Sequence, residues 1–307
     1  MMSSSRWLLA LVLVPACALR GLGGEPSSKL EERITPLARA HKGKIAVAVK
    51  HLTTGEEFYL HADEVMPTAS LIKLPVMVET YWQADEGKVK LDTALTLKKG
   101  DKAQGSGILT SHFSDGATFP LRDAVRLMIV FSDNTATNMV LDQIGIPSTN
   151  VRMDRLGLKE TRINAKVFRA DTRIDQERGK KYGLGSTTAR EMVRLLELIE
   201  AGKVATPAAC KEMLGHLKAC DDREKMTRFL LPGTVVAHKT GSVNASKTDA
   251  GIIYVPDPAD RKKAQPVALC VLTDENDDKR WVADNAAQVT IGKIAKEVYD
   301  HFAKKPE

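Results

Sequence analysis

A long block of sequence with helical periodicity, residues 70–217, is bracketed on both sides by segments of strand character, and that order restricts the chain to few folds. Before the block, Lys44-Ile-Ala-Val-Ala-Val-Lys50 and residues 57–60 flank a Thr54-Gly55 turn, which predicts a β-hairpin. Apolar positions then recur at helical spacing over 70–85, 121–130, 134–144, 188–200 (ended by Gly202) and roughly 207–217. Strand character returns over 234–238, 250–255 and 267–273, and a closing helix is expected over about 286–302. The predicted class is α+β, with a helical lobe (about 65–227) inserted into a sheet lobe (about 31–64 and 228–305) that both ends of the chain build.

Composition narrows the class of function. With 307 residues, 43% of them hydrophobic, the chain can bury one large core or two modest ones. A net charge of +6 is spread through mixed runs such as Asp221-Asp-Arg-Glu-Lys225 and Asp274-Glu-Asn-Asp-Asp-Lys-Arg280, which describe a solvated surface and not a nucleic-acid stripe. The seven histidines show no metal-ligand spacing, so neither a metal nor an organic cofactor is indicated. Residues 1–18, with Arg6, an apolar run from Trp7 to Val14 and an Ala16-Cys17-Ala18 step, read as a signal peptide, and residues 19–30 as a flexible tether before a catalytic domain at 31–305. Export to the periplasm or medium is the expectation, with lipid attachment at Cys17 as the alternative. No window reaches transmembrane length, and a monomer acting on a small molecule is expected. Cys270 reads as an apolar strand residue, while Cys210 and Cys220, in one helical stretch, are expected to stay unpaired.

The chemistry lies in three short motifs. If a helix starts at or just before Ser70, residues three apart share a face and the Lys73 amine can reach the serine oxygen. Ser132-Asp133-Asn134 and Lys239-Thr240-Gly241 follow in order. Singly, each is ordinary: a helix start with a solvated lysine, a helix cap, a strand end with a turn. Together and in this order they form the signature of an acyl-enzyme-forming serine site. With Gly105-Ser-Gly-Ile-Leu109, Leu127-Met-Ile-Val-Phe-Ser-Asp-Asn-Thr-Ala-Thr-Asn138 and Val236-Ala-His-Lys-Thr-Gly-Ser242, the chain resembles the class A serine β-lactamase family from about Lys44 to Phe302.

That resemblance implies a β-lactamase-like fold: an antiparallel five-stranded sheet flanked by terminal helices, an inserted all-helical lobe, and the site in the cleft between lobes. It implies Ser70 as nucleophile, Lys73 as proton acceptor and Ser132 as proton relay. Asn134, Lys239, Thr240, Gly241 and Ser242 would bind substrate, with Asp133 bracing the loop and the Ser70 and Ser242 N–H groups forming the oxyanion hole. One departure stands out. The family carries a deacylating glutamate after a T-R-L-D-like stretch, but after Thr161-Arg-Ile-Asn164 the corresponding places hold Lys166, Val167 and Phe168. A second lead-in, Thr172-Arg-Ile-Asp-Gln-Glu177, makes Glu177 the replacement expected here, the alternative being a solvated acid beside Arg178 and Lys180. No aromatic occupies the Lys102-Ala-Gln104 wall, and no arginine precedes Gly251, although Lys247 is a candidate substitute. The expected activity is hydrolysis of β-lactams; a D,D-peptidase acting on D-Ala-D-Ala-type peptides and a slowly acylated penicillin-binding sensor are the alternatives.

Overall fold

The computed structural model describes residues 28–303, so the leader, Cys17 and residues 19–27 of the tether lie outside the described residues. Helix α1 (Ser28–Ala40) already begins at Ser28, inside the stretch read as tether, because Leu30, Ile34 and Ala38 recur on one face and bury. Strands β1 (Lys44–His51), β2 (Glu57–Leu60) and β3 (Met66–Pro67) follow, then a single 3₁₀ turn, Ala69–Ile72, and α2 (Lys73–Asp85). The helical lobe continues through β4 (Ala94–Thr96), α3 (Leu109–His112), β5 (Thr118–Pro120), α4 (Leu121–Val130), α5 (Asn134–Ile144) and α6 (Ile146–Arg155). It closes with β6 (Arg162–Ile163), α7 (Gln176–Tyr182), β7 (Gly185–Thr187), α8 (Ala189–Glu200) and α9 (Pro207–Lys218). The chain returns to the sheet as β8 (Val236–Ser242), β9 (Lys247–Pro256) and β10 (Ala264–Asp274), and ends in α10 (Ala286–Ala303).

The main sheet has the order β2-β1-β10-β9-β8, with every neighbouring pair antiparallel. Alternation along β1 divides its side chains between two cores. Ile45, Val47 and Val49 meet Leu30 and Ile34 of α1 and Ile291, Ile294 and Val298 of α10. Ala46 and Ala48 face the helical lobe, where small side chains let its helices approach the sheet. Helix α2 is buried on almost every side at the centre of that lobe, against α4, α5, α6 and α9. Pro75 sits in its first turn, where the missing N–H needs no partner. Among the described residues no helix is long and apolar enough to cross a membrane.

The sheet strands are longer than their apolar runs. Strand β8 continues through Lys239-Thr-Gly-Ser242 and β9 starts at Lys247, because these polar residues pair in register, Gly241 with Thr248 and Ser242 with Lys247. The motif read as a strand end is thus an internal part of a ladder. Helix α6 is absent from the apolar pattern because its inward groups include Thr149 and Arg152; the latter's guanidinium is satisfied by buried Glu79 at 2.8 Å. Cys210, Cys220 and Cys270 are free, buried thiols.

Candidate active site

Ser70 stands in the 3₁₀ turn that leads into α2, and the Lys73 backbone N–H donates to the Ser70 carbonyl. The turn is held from three sides. Thr68 donates its N–H to Gly185 O at 3.0 Å, its carbonyl accepts from Thr248 Oγ1 at 2.9 Å, and Gly241 of β8 lies so close that a Cβ there would fall 2.3 Å from Thr68 O and 3.0 Å from Leu71 N. Only glycine allows that approach. Ala69, next to Ser70, has φ +47°, and Ser132 has φ +53°; both are left-handed conformations that a side chain disfavours, held by this surrounding network.

Three motifs distant in sequence meet at Ser132. The Lys73 ammonium, at the first position of α2, donates to Ser132 O at 2.7 Å, Ser132 Oγ at 3.3 Å and Asn134 Oδ1 at 2.8 Å. Lys239 Nζ donates to the same Ser132 Oγ at 3.1 Å and to Thr240 O at 2.8 Å. Both lysines are fully buried. Burial, followed by the neighbouring Lys239 cation, pushes the Lys73 amine well below the usual lysine range against the opposing pull of Asp133. Burial also lowers Lys239, with Cys220 and Asp222 pulling the other way.

Asp133 braces the site. Its carboxylate, 1% exposed, accepts from the N–H groups of Ile108 (2.7 Å), Leu109 (2.8 Å) and Ala136 (2.8 Å), capping α5 and pinning the loop before α3. Asp133→Ala orphans three N–H donors at once and is expected to cost about 3–5 kcal/mol of stability. Urea unfolding measures this; a loss below about 1 kcal/mol would contradict the bracing role.

Glu177 is not brought into this cluster. Asp175 caps α7 by accepting from Arg178 N, and Arg178 docks the helix onto Glu160 and Ser186, which turns Glu177 outward. Its side chain is 85% exposed and pairs with Lys180 at 2.9 Å. Among the described residues, no carboxylate hydrogen-bonds to Lys73, Ser132 or Lys239. The loop at 166–169 is positioned instead by Asn138 of α5, whose amide donates to Val167 O (3.0 Å) and accepts from Val167 N (2.8 Å). Lys247 is also engaged elsewhere: its ammonium donates to Val243 O at 2.9 Å and lies 4.2 Å from the Trp281 ring centroid.

Two features escaped sequence reading. Asn138 has the spacing of a residue one turn after Asn134, which could have marked it as part of the same face. The second is buried behind Lys239: His238 Nδ1 lies 3.0 and 3.2 Å from the Asp249 carboxylate oxygens. Burial opposes charge on His238, but Asp249 and Cys220 outweigh it and hold the imidazole up to about 10. Asp249 also accepts from Met226 N at 3.0 Å, tying the segment before β8 to the sheet. Only strand register reveals that partnership.

A fold with this sheet, this helical insertion and a hydroxyl bridged by two buried lysines defines a class of serine acyl-transfer enzymes, and comparison with known proteins supplies the family. A family profile described as "Beta-lactamase enzyme family" matches residues 29–302. The extended-spectrum β-lactamase PER-1 of Pseudomonas aeruginosa is 23% identical over 290 residues, covering 91% of this chain and 89% of its own. Among solved structures, a β-lactamase from Sphaerobacter thermophilus superposes with a TM-score of 0.77 at 25% identity, covering 90% of this chain and 99% of that one. PBP-A gives a TM-score of 0.77 at 25% identity, covering 91% of this chain and 98% of its own. The chain belongs to the class A serine β-lactamase family and is a hydrolase of that family.

Proposed function

We propose that the cleft opens β-lactam rings through an acyl-enzyme on Ser70. The observation that carries this reading is the Ser132 hydroxyl held between Lys73 Nζ and Lys239 Nζ. Neutral Lys73 takes the Ser70 proton as Oγ attacks the lactam carbonyl carbon, giving a tetrahedral intermediate whose oxyanion faces the N–H groups of Ser70 and Ser242. The ring C–N bond then breaks, and the proton reaches the leaving nitrogen through Ser132. Lys239 and Thr240 bind the substrate carboxylate, Asn134 holds the acylamino group, and Gly241 lets strand β8 lie against the turn that carries Ser70.

Release of the acyl group requires a base once more. With Glu177 facing solvent beside Lys180, the group that fits is Lys73 again: its neutral amine takes a proton from water attacking the ester carbonyl, and Ser70 Oγ leaves and is reprotonated. Turnover of a chromogenic cephalosporin, followed by absorbance and intact mass together, tests the whole scheme; a protein that neither gains mass nor consumes drug would falsify it. Glu177→Gln is expected to leave the deacylation rate within about twofold, as befits an exposed acid remote from the cluster. A stalled acyl-enzyme in that variant would restore Glu177 as the deacylating base. Export, by way of the leader at 1–18, places this activity where β-lactams meet the cell envelope.

A further inference from the structure

Phe168 is the most exposed large apolar side chain among the described residues, at 73%, yet its backbone sits at φ +55°. A bulky residue is strained in the left-handed region, and glycine would occupy the position freely. The surroundings nevertheless fix it there. Val167 is clasped on both sides by Asn138, Lys166 N donates to Thr172 Oγ1 at 2.9 Å, and Arg169 N closes the turn onto Lys166 O at 3.2 Å. The Lys166 ammonium is paired with Asp142, on the same helix α5 that carries Asn134 and Asn138.

The ring of Phe168 does not point at random into solvent. A Cβ built on Gly105 would lie 3.4 Å from Phe168 Cε2, 3.8 Å from Cζ and 3.0 Å from Asn134 Nδ2, so ring, glycine and carboxamide lie side by side. Asn134 is in turn hydrogen-bonded to Lys73. An exposed aromatic face, held in a strained conformation beside Asn134, is suited to stacking a flat apolar substituent.

We propose that Phe168 is a specificity-determining residue, an aromatic shelf that selects β-lactams whose acylamino substituent ends in an aryl ring. This rests on the β-lactam reading above. The test compares second-order acylation constants for benzylpenicillin, which carries a phenyl ring, and 6-aminopenicillanic acid, which has no acyl arm, in the native protein and in F168A, F168W and F168G. The ratio of the benzylpenicillin constant to the 6-aminopenicillanic acid constant is expected to fall about tenfold in F168A, with the change in the substrate dissociation constant and not in the acylation step. F168W is expected to restore the ratio. F168G is expected to lose the ratio while its melting temperature stays level or rises, because the backbone strain is relieved. An equal loss for both substrates would make Phe168 a loop spacer, and an unchanged ratio in F168A would remove it from recognition; either overturns the proposal. Native protein that reacts with neither compound overturns the β-lactam reading itself, an outcome distinct from both.

Discussion

Replacing Ser70 by alanine is expected to abolish covalent labelling by penicillin, with a fall in turnover on the order of 10⁶, the size of loss found when a serine hydrolase is stripped of its nucleophile. No other group inherits the role. Ser132, the neighbouring hydroxyl, is committed to two lysines and sits on a different backbone turn from the one that places the Ser70 N–H near strand β8. The fold should be indifferent to the change, because the turn 69–72 is held through the Thr68 backbone by hydrogen bonds with Gly185 and Thr248, and neither bond uses the lost oxygen. Stability within about 0.5 kcal/mol of the native protein is expected. Intact-mass measurement after incubation with excess penicillin decides the first point and thermal unfolding the second; a persistent adduct would move the nucleophile elsewhere.

Lys73 carries the second large effect. Lys73→Ala is expected to slow acylation by about 10²–10⁴, the usual contribution of a positioned base. The native acylation rate should rise with pH through an ionisation well below the usual lysine range and then level, since the neutral amine is the active form and burial together with Lys239 favours it. Lys239→Ala removes the second of those causes, so the inflection should move to higher pH. Stability follows the same sign. The folded protein releases the Lys73 proton at lower pH than the unfolded chain, whose amine titrates near the ordinary 10.5, so Lys73 penalises folding fully below its native pKa and progressively less as pH rises toward the unfolded value. Stopped-flow acylation across pH, with and without Lys239, checks the shift; an inflection that stays in place when Lys239 is removed would show that burial alone sets the Lys73 pKa.

Where the resemblance leads one to expect a glutamate, the loop offers Val167, tied to α5 through its backbone, and Phe168, turned outward. The residues that hold this loop are local or on α5, so its shape does not depend on a carboxylate in the cleft. The buried pair His238 and Asp249 similarly fixes the hairpin of β8 and β9 without entering the chemistry proposed for Lys239.

What could be read in the chain before folding was its alternation of strand and helix blocks and its three polar motifs in order. Both are local properties: Ile45, Val47 and Val49 against Ala46 and Ala48 announce two faces of a strand, and Ser70 and Lys73 announce one face of a turn. Convergence was legible only because the motifs are rare in combination. Glu177 shows where local reading stops. Its sequence context resembles a deacylation loop, but the direction of its side chain is set by Asp175 capping α7 and by Arg178 docking on Glu160, contacts that no spacing encodes. Phe168 shows the converse, a residue without a motif whose place beside Gly105 and Asn134 is decided by Asn138 gripping the preceding residue. Periodicity follows from backbone geometry and can be counted along the chain, whereas the aim of a side chain and the partner of a charge depend on which distant surface packs against it, and that is settled only when the cores on the two faces of the sheet close.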